Sequence, residues 1–311
     1  MAFTMHSHSG QFCPGHAKDD LEAIIKHAIA RGFKTIGLTE HMPRTSLSDL
    51  YPEELEPSPE ETLASLFPRH EAYLAEAIRL QEEYADQIHI LIGFEGEWIR
   101  PEYGPLIQKM AGHPSVDYFI GSLHHTRGIP IDFDEEMYSQ AVNACGGEEE
   151  LFEAYFDEQY EMLTTLKPKV VGHFDLIRLF SKEPSRVLKG TATPVWEKVV
   201  RNLKAVKEYG GWLELNTSAF RKGLEEGYPK REIAEEWIAM GGRFTFSDDS
   251  HGVAQISTNY LKGLEYLEGV GVGEVWTLER KTHPGVREGR KSELVEKAVT
   301  IKEFRASLKH V

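Results

Sequence analysis

Short apolar runs rich in Val, Ile and Phe recur along the chain, and most of them precede a longer segment with apolar residues at helical spacing. Such runs are typical of buried strands, whereas the spaced pattern is typical of amphipathic helices. The pattern predicts seven clear strands and a weaker eighth, at residues 3–8, 34–39, 88–94, 117–123, 169–174, 211–216, 243–248 and 274–279.

The intervening segments carry signals for helices. Ser58-Pro59-Glu60-Glu61 combines a capping residue, a first-turn proline and a third-position glutamate, which predicts a helix over 59–84. Apolar residues at helical intervals predict two further helices, over 148–166 and near 292–308. We expect the last one to pack on the rest of the chain as a C-terminal helix.

Strand and helix alternate over almost the whole chain, and no glycine-rich linker separates two halves. This organisation favours one α/β domain over residues 1–311, built as a (β/α) barrel rather than as a doubly wound sheet. Neither of the two common glycine-rich phosphate-binding motifs follows a predicted strand, which counts against a nucleotide-cradling loop.

Composition narrows the classes of partner. The formal net charge of -15 disfavours DNA or RNA, because nucleic-acid binding relies on lysine and arginine neutralising phosphates. No apolar run reaches 18 residues and no signal core precedes the first histidines, so we expect no membrane span and a cytoplasmic location. Cys13 and Cys145 are too few for a disulfide framework and are expected to be free thiols.

Potential metal ligands stand at the ends of successive predicted strands. They are His6 and His8, His41, Glu95, His124 and His125, His173, and finally Asp249 and His251. An isolated His-x-His pair is as readily two solvated side chains, but strand ends converge at one face of a barrel. Imidazole and carboxylate without thiolate suit Zn²⁺, Mn²⁺ or Fe²⁺, and clustered ions suit hydrolysis of a phosphate ester.

The same residues carry a family resemblance. His6-x-His8, Thr39-Glu40-His41, Gly93-Phe94-Glu95, Gly121-Ser122-Leu123-His124-His125, Gly172-His173-x-Asp175 and Asp249-Ser250-His251 resemble, in order and approximate spacing, the motifs of polymerase-and-histidinol-phosphatase (PHP) domains. The segment Leu213-Glu214-Leu215-Asn216-Thr217-Ser218 and the chain length resemble the stand-alone histidinol-phosphatase branch of that family.

The resemblance implies a distorted seven-stranded (β/α)7 TIM-like barrel with a site for three divalent ions (Zn, Mn or Fe). It assigns His6, His8, Glu95 and Asp249 to the first ion, Glu95, His124 and His173 to the second, and His16, His41 and His251 to the third. Glu95, Asp249 and His251 would stand at the reaction centre. The implied reaction is hydrolysis of L-histidinol phosphate, in histidine biosynthesis, by in-line attack of a metal-bridging hydroxide.

Phosphate also needs counter-charge from the protein, which arginine supplies through paired donors. Arg178 and Arg221 each follow a strand end by a few residues and are the predicted phosphate ligands; the alternative for Arg221 is a solvated arginine in a first helical turn. His125, beside a predicted ligand, is either a substrate-binding residue or a solvated side chain.

Three alternatives stay open at this point. A PHP-type phosphoesterase could act on nucleotides or small phosphodiesters, and a non-catalytic regulator could bind metal without turnover. The third alternative is a metal-dependent amidohydrolase on a related barrel. Such an enzyme would usually need a bridging carboxylated lysine, and a glutamate at position 95 fits a phosphatase better. The sequence leaves the native metals, the exact phosphate monoester and the oligomeric state open.

Overall fold

The computed structural model of the chain describes residues 1–190, 194–281 and 293–309. Its strands are β1 (Ala2–Thr4), β2 (Phe33–Leu38), β3 (His89–Ile92), β4 (Glu95–Glu97), β5 (Ile120–Ser122), β6 (His125–Thr126), β7 (Ile129–Pro130), β8 (Val170–Val171), β9 (Trp212–Asn216), β10 (Phe244–Ser247), β11 (Glu274–Arg280) and β12 (Leu294–Thr300). Each of the eight predicted strands therefore has a counterpart in the structure.

The helices follow the strands in alternation through most of the chain. They are α1 (Leu21–Ala30), α2 (Pro59–Glu83), α3 (Gly104–Ala111), α4 (Glu135–Cys145), α5 (Glu148–Leu166), α6 (Val195–Tyr209), α7 (Ser218–Arg221), α8 (Arg231–Ala239), α9 (Tyr260–Gly269) and α10 (Ile301–Ser307). The Ser58 hydroxyl caps α2 by accepting a hydrogen bond from the Glu61 amide, as its sequence predicts. The prediction of a helix over 148–166 is also confirmed by α5.

Two parallel sheets form the centre of a mixed α/β fold. One has the order β1-β2-β3 and the other the order β10-β9-β8-β5-β4. Backbone hydrogen bonds connect the two sheets at both junctions, since the His8 amide donates to the Ser250 carbonyl at 2.8 Å and the Glu95 amide donates to the Glu40 carbonyl at 3.0 Å. The ends of β1, β2, β4 and β10 are thereby brought side by side.

The predicted helix near 292–308 is wrong in its first half. Residue 292 lies outside the described residues, Leu294–Thr300 forms β12, and the helix begins only at Ile301. Val295, Val299 and Thr300 are β-branched and favour a strand, which pairs antiparallel with β11. Phe304 of α10 is fully buried against the ring of Phe3, at 5.0 Å between ring centroids, so the short helix does pack beside β1.

Gly37 of β2 has a packing role close to the site. The Tyr118 phenol crosses β2 at this position and donates to the Met5 carbonyl at 2.5 Å, and a Cβ on Gly37 would lie 1.9 Å from the phenol oxygen. Only glycine leaves room for this contact, which holds the backbone immediately before His6. Across the described ranges, no helix has both the length and the apolar character needed to cross a bilayer; the cytoplasmic location stays a prediction.

Candidate metal centre

Glu95 lies at the centre of a cluster of histidines. Its Oε2 atom is 3.3 Å from His6 Nε2 and 3.5 Å from His8 Nε2. The other carboxylate oxygen, Oε1, is 3.0 Å from His124 Nε2 and 3.1 Å from His173 Nε2. Oε2 is also 3.1 Å from His41 Nδ1. The two carboxylate oxygens of Glu95 thus face different imidazoles, which is the arrangement expected of a bridging ligand.

Asp249 approaches the same histidine pair from the far end of the chain. Its Oδ1 is 3.6 Å from His6 Nε2 and 3.4 Å from His8 Nε2. The residue has a φ of 49°, in the left-handed region that non-glycine side chains seldom occupy, and such conformations concentrate at functional sites. This backbone conformation places the Asp249 carboxylate directly after β10, beside the His6 and His8 rings.

A further set of histidines lies on the solvent side of His8. The His8 ring packs against the rings of both His41 and His251, at 4.2 and 4.4 Å between centroids, and those two rings are 5.9 Å apart. The His16 ring lies edge-on to His251 at 4.7 Å and to His41 at 5.2 Å. His16 is itself 40% exposed, and its Nδ1 is 3.0 Å from Glu53 Oε1.

Three overlapping groups have ligand atoms close enough together to hold one ion each, with all atoms of a group within 4.8 Å of one another. They are His6, His8 and Glu95; Glu95, His124 and His173; and His8, His41 and His251. The first two coincide with subsets of the predicted ligand sets. The third contains His8 where the resemblance assigns His16.

The residues fit divalent cations because their inward-facing atoms have no other partner. His6 Nε2, His8 Nε2, His41 Nε2, His251 Nε2 and Glu95 Oε2 are all buried and without a hydrogen bond. Leaving a buried polar atom unsatisfied costs about 1–3 kcal/mol each, so five converging atoms form a costly arrangement unless cations complete it. His/Glu clusters of this kind suit divalent metals.

The carboxylates and imidazoles of the cluster shift one another's pKa values in both directions. Burial would raise the pKa of the Glu95 carboxyl, but His6 and His124 hold it well below its usual range. Burial, together with repulsion from His41, lowers the pKa of His8 to about 3. Burial and the neighbouring His8 hold the pKa of His251 well below its usual range.

His41 and His124 behave differently: despite their burial, Glu95 and Glu97 raise the pKa of His41 to about 10, and Asp132 and Glu95 raise the pKa of His124 well above its usual range. Since neutral imidazole is the form that binds metal, cations would take the place of the protons that these carboxylates favour on the two rings.

Comparison with known proteins agrees with the geometry. The family model described as PHP domain matches residues 4–218. The chain belongs to the PHP domain family. The protein named "Probable histidinol-phosphatase" in Schizosaccharomyces pombe is 44% identical over 281 residues, covering 90% of each chain. The "Histidinol-phosphatase" of Saccharomyces cerevisiae is 35% identical, covering 84% of this chain and 87% of that protein.

A solved structure also resembles this PHP domain. The crystal structure of hisK from Listeria monocytogenes superposes with a TM-score of 0.70 at 27% identity, and the match covers 84% of this chain and 99% of that one. The alternation of parallel strands and helices described above is therefore shared with a solved relative.

Two carboxylates that sequence reasoning did not assign hold the histidines of the PHP site. Glu214 Oε1 contacts His6 Nδ1 at 2.8 Å, and its Oε2 accepts the backbone amide of His173 at 2.9 Å. Asp132 Oδ2 contacts His124 Nδ1 at 3.0 Å. Such carboxylates fix the ring orientation and the tautomer of a metal-ligating histidine. The available signal for Glu214 was a charged residue between Leu213 and Leu215 in a buried strand.

A cavity of about 270 Å³ opens above the cluster. His16, His41, His124 and His251 lie on its wall together with Glu95 and Asp249. Two cations on the wall, Arg69 and Lys222, form no ion pair with any residue in the described ranges. Arg221 also lines the cavity, and its guanidinium donates to the Asp248 and Asp249 carbonyls at 3.0 Å each.

Arg178 does not have the predicted position. Its side chain is buried, does not line the cavity above the cluster, and donates to Asp175 Oδ2 at 2.9 Å and to the Gly227 carbonyl at 2.7 Å. It packs over the Tyr228 ring. The prediction of a phosphate ligand is wrong because these contacts turn the guanidinium into the protein interior.

His125 is buried rather than solvated. Its ring lies 5.4 Å from the ring of Tyr51, it does not line the cavity, and burial lowers its pKa to about 4. The interpretation as a solvated side chain is therefore wrong, and contact between His125 and a bound substrate stays a prediction.

We expect Asp132→Asn to weaken the binding of one ion by about 10- to 100-fold, because the His124 ring loses the carboxylate that orients it. Competition between the protein and a chelator for Zn²⁺ measures this. Glu136→Gln, an exposed change on α4, serves as the control and should leave every affinity unchanged. Equal affinities in Asp132→Asn and the control would contradict the orienting role.

Proposed function

We propose that this chain hydrolyses L-histidinol phosphate to L-histidinol and phosphate, as a metal-dependent phosphomonoesterase. The observation that carries the proposal is the convergence of imidazoles on the buried Glu95 carboxylate at the floor of a cavity whose wall carries unpaired cations. The choice of substrate is supported by the names of relatives that are 44% and 35% identical.

Three divalent ions, Zn, Mn or Fe, would be held by the predicted sets. His6, His8, Glu95 and Asp249 would hold the first, and Glu95, His124 and His173 the second. His41 and His251, with His16, would hold the third. Bound ions of this kind activate water as a nucleophile at neutral pH and neutralise the oxygens of a phosphoryl group. Glu95, Asp249 and His251 would therefore stand closest to the reacting phosphate.

The protein itself would bind and orient the phosphate dianion through Arg221, Lys222 and Arg69. Arg221 has a fixed position, because two backbone carbonyls hold its guanidinium at the cavity wall. Two of the cavity carboxylates are already paired with other groups, Glu54 with Arg44 and Asp132 with His124. The cavity wall thus offers positive charge where the net charge of the whole chain is negative.

The organic part of the substrate would lie against the opposite wall. Tyr51 and Phe133 form a stacked aromatic pair with ring centroids 6.5 Å apart, which suits an imidazole ring. Asp132 Oδ1 is buried and has no hydrogen-bond partner, so it can accept a donor from the amine. These residues would select an aromatic amine ester over a simple phosphate ester.

We further propose that the two parallel sheets form one distorted (β/α)7 barrel in a single domain. The bridges from Ser7 to Ser250 and from His41 to Glu95 support this closure. The first joins the ends of the outer strands β1 and β10, and the second joins the end of β2 to the outer strand β4. With β3 and β4 counted as one broken strand, seven positions surround the centre, in keeping with the predicted strand number.

The proposed activity is tested by steady-state kinetics with three substrates under metal-replete conditions. We expect kcat/KM to be larger for L-histidinol phosphate than for a nucleoside monophosphate or a small phosphodiester, because the aromatic wall and Asp132 fit the histidinol group. A larger value for either rival would assign the chain to another PHP-type phosphoesterase. The absence of turnover in a metal-loaded protein with all three would favour a non-catalytic regulator.

We expect Lys222→Ala to lower kcat/KM for L-histidinol phosphate by about tenfold, equivalent to about 1.4 kcal/mol of transition-state stabilisation, because it removes one unpaired positive charge from the cavity. Lys109→Ala, an exposed change on α3 outside the cavity, is the matched control. The assignment fails if the two variants have the same kcat/KM as the wild type.

A further inference from the structure

A short turn over the cavity contacts the histidines on the solvent side of the cluster. The turn consists of Tyr51 and the 3-10 segment Pro52–Glu54, and it belongs to the long connection between β2 and α2. Glu53 Oε1 lies 3.0 Å from His16 Nδ1. Neither residue is assigned to this contact by the sequence motifs, and the two are separated by 37 positions.

The next residue of the turn is linked to His41. Glu54 pairs with Arg44, and the Arg44 guanidinium donates to Glu97 Oε1 at 3.2 Å. Glu97 Oε1 is in turn 3.1 Å from His41 Nδ1. Tyr51 donates from its hydroxyl to Glu97 Oε2 at 3.1 Å. The turn is therefore fixed to the floor of the site, which gives Glu53 a defined position above it.

His16 needs such a partner more than the other histidines do. His6 and His8 are fully buried and Glu214 contacts the His6 ring, whereas the His16 side chain is 40% exposed and lies in a loop. A charge-assisted contact at Nδ1 restricts the rotation of the ring and selects the tautomer that leaves Nε2 free as a lone-pair donor. The ring then stays edge-on to His251 and His41.

We propose that Glu53 is the positioning residue for His16, and that it makes the binding of one cation, the one shared with His41 and His251, depend on the Tyr51–Glu54 turn. This inference rests on the proposed function for the presence of three ions. Glu53, which comes from a separate loop, would control the occupancy of a single site. The ions at Glu95 would depend on buried side chains that Glu53 does not contact.

The test measures the metal content and zinc affinity of the whole protein by elemental analysis and chelator competition. Glu53→Ala should weaken the binding of one of the three ions by at least about tenfold and leave the other two bound. Glu53→Gln, which keeps an acceptor but not the charge, should show a smaller loss. Glu56→Gln, an exposed change a few residues further on, is the control and should bind all three ions as the wild type does.

A double-mutant cycle separates positioning from a general effect on folding. If Glu53 acts through His16, the variant that combines His16→Ala and Glu53→Ala should bind the third ion no more weakly than His16→Ala alone. Additive losses, an unchanged third ion in Glu53→Ala, or loss of all three ions together would each overturn the inference. A wild-type protein that binds only two ions but hydrolyses L-histidinol phosphate would overturn it while leaving the proposed activity intact.

Discussion

The buried carboxylate of Glu95 is the constraint on which the rest of the site depends. Five imidazoles from four strand ends lie within 3.5 Å of its two oxygens: those of His6, His8, His41, His124 and His173. Burying a carboxylate is costly unless positive charge compensates it. Protons on the histidines or divalent cations between the ligands can supply that charge. The unpartnered nitrogens that face inward favour the cations.

The fold provides the precision that this arrangement needs. Neighbouring parallel strands set the positions of successive ligands, and a few polar contacts behind them fix their orientation. Glu214 connects His6 with the backbone of His173, so that one carboxylate serves two strand ends. The Tyr118 phenol, passing over Gly37, fixes the backbone just before His6. The geometry of the inner histidines is thus determined by buried elements, and the solvent side of the site by long connections such as the one that carries Glu53.

The positions of the strands, and of the histidines and carboxylates at their ends, could be predicted from the sequence because both leave local signals. A strand end carrying His or Glu after an apolar run is visible without a structure, and the convergence of such ends follows from the α/β pattern. The direction of a long side chain is not local, and Arg178 illustrates this: a nearby aspartate and a carbonyl 49 residues away decide where it lies. For β12 the spacing of apolar residues suited a helix, and pairing with β11 decided otherwise. Lys222, Arg69 and Glu53 had no motif at all, since only the tertiary fold brings them to the cavity.

The central claim is that the histidines around Glu95 hold divalent ions that act on a phosphate ester. A crystal structure of the protein grown with Zn²⁺ and phosphate, with anomalous scattering recorded at the zinc edge, tests it most directly. We expect anomalous peaks between Glu95 and the His6/His8 pair, between Glu95 and the His124/His173 pair, and beside His41 and His251, with phosphate bound between the ions and Arg221. Peaks elsewhere, or an unoccupied Glu95 cluster in a protein that still hydrolyses L-histidinol phosphate, would contradict the claim.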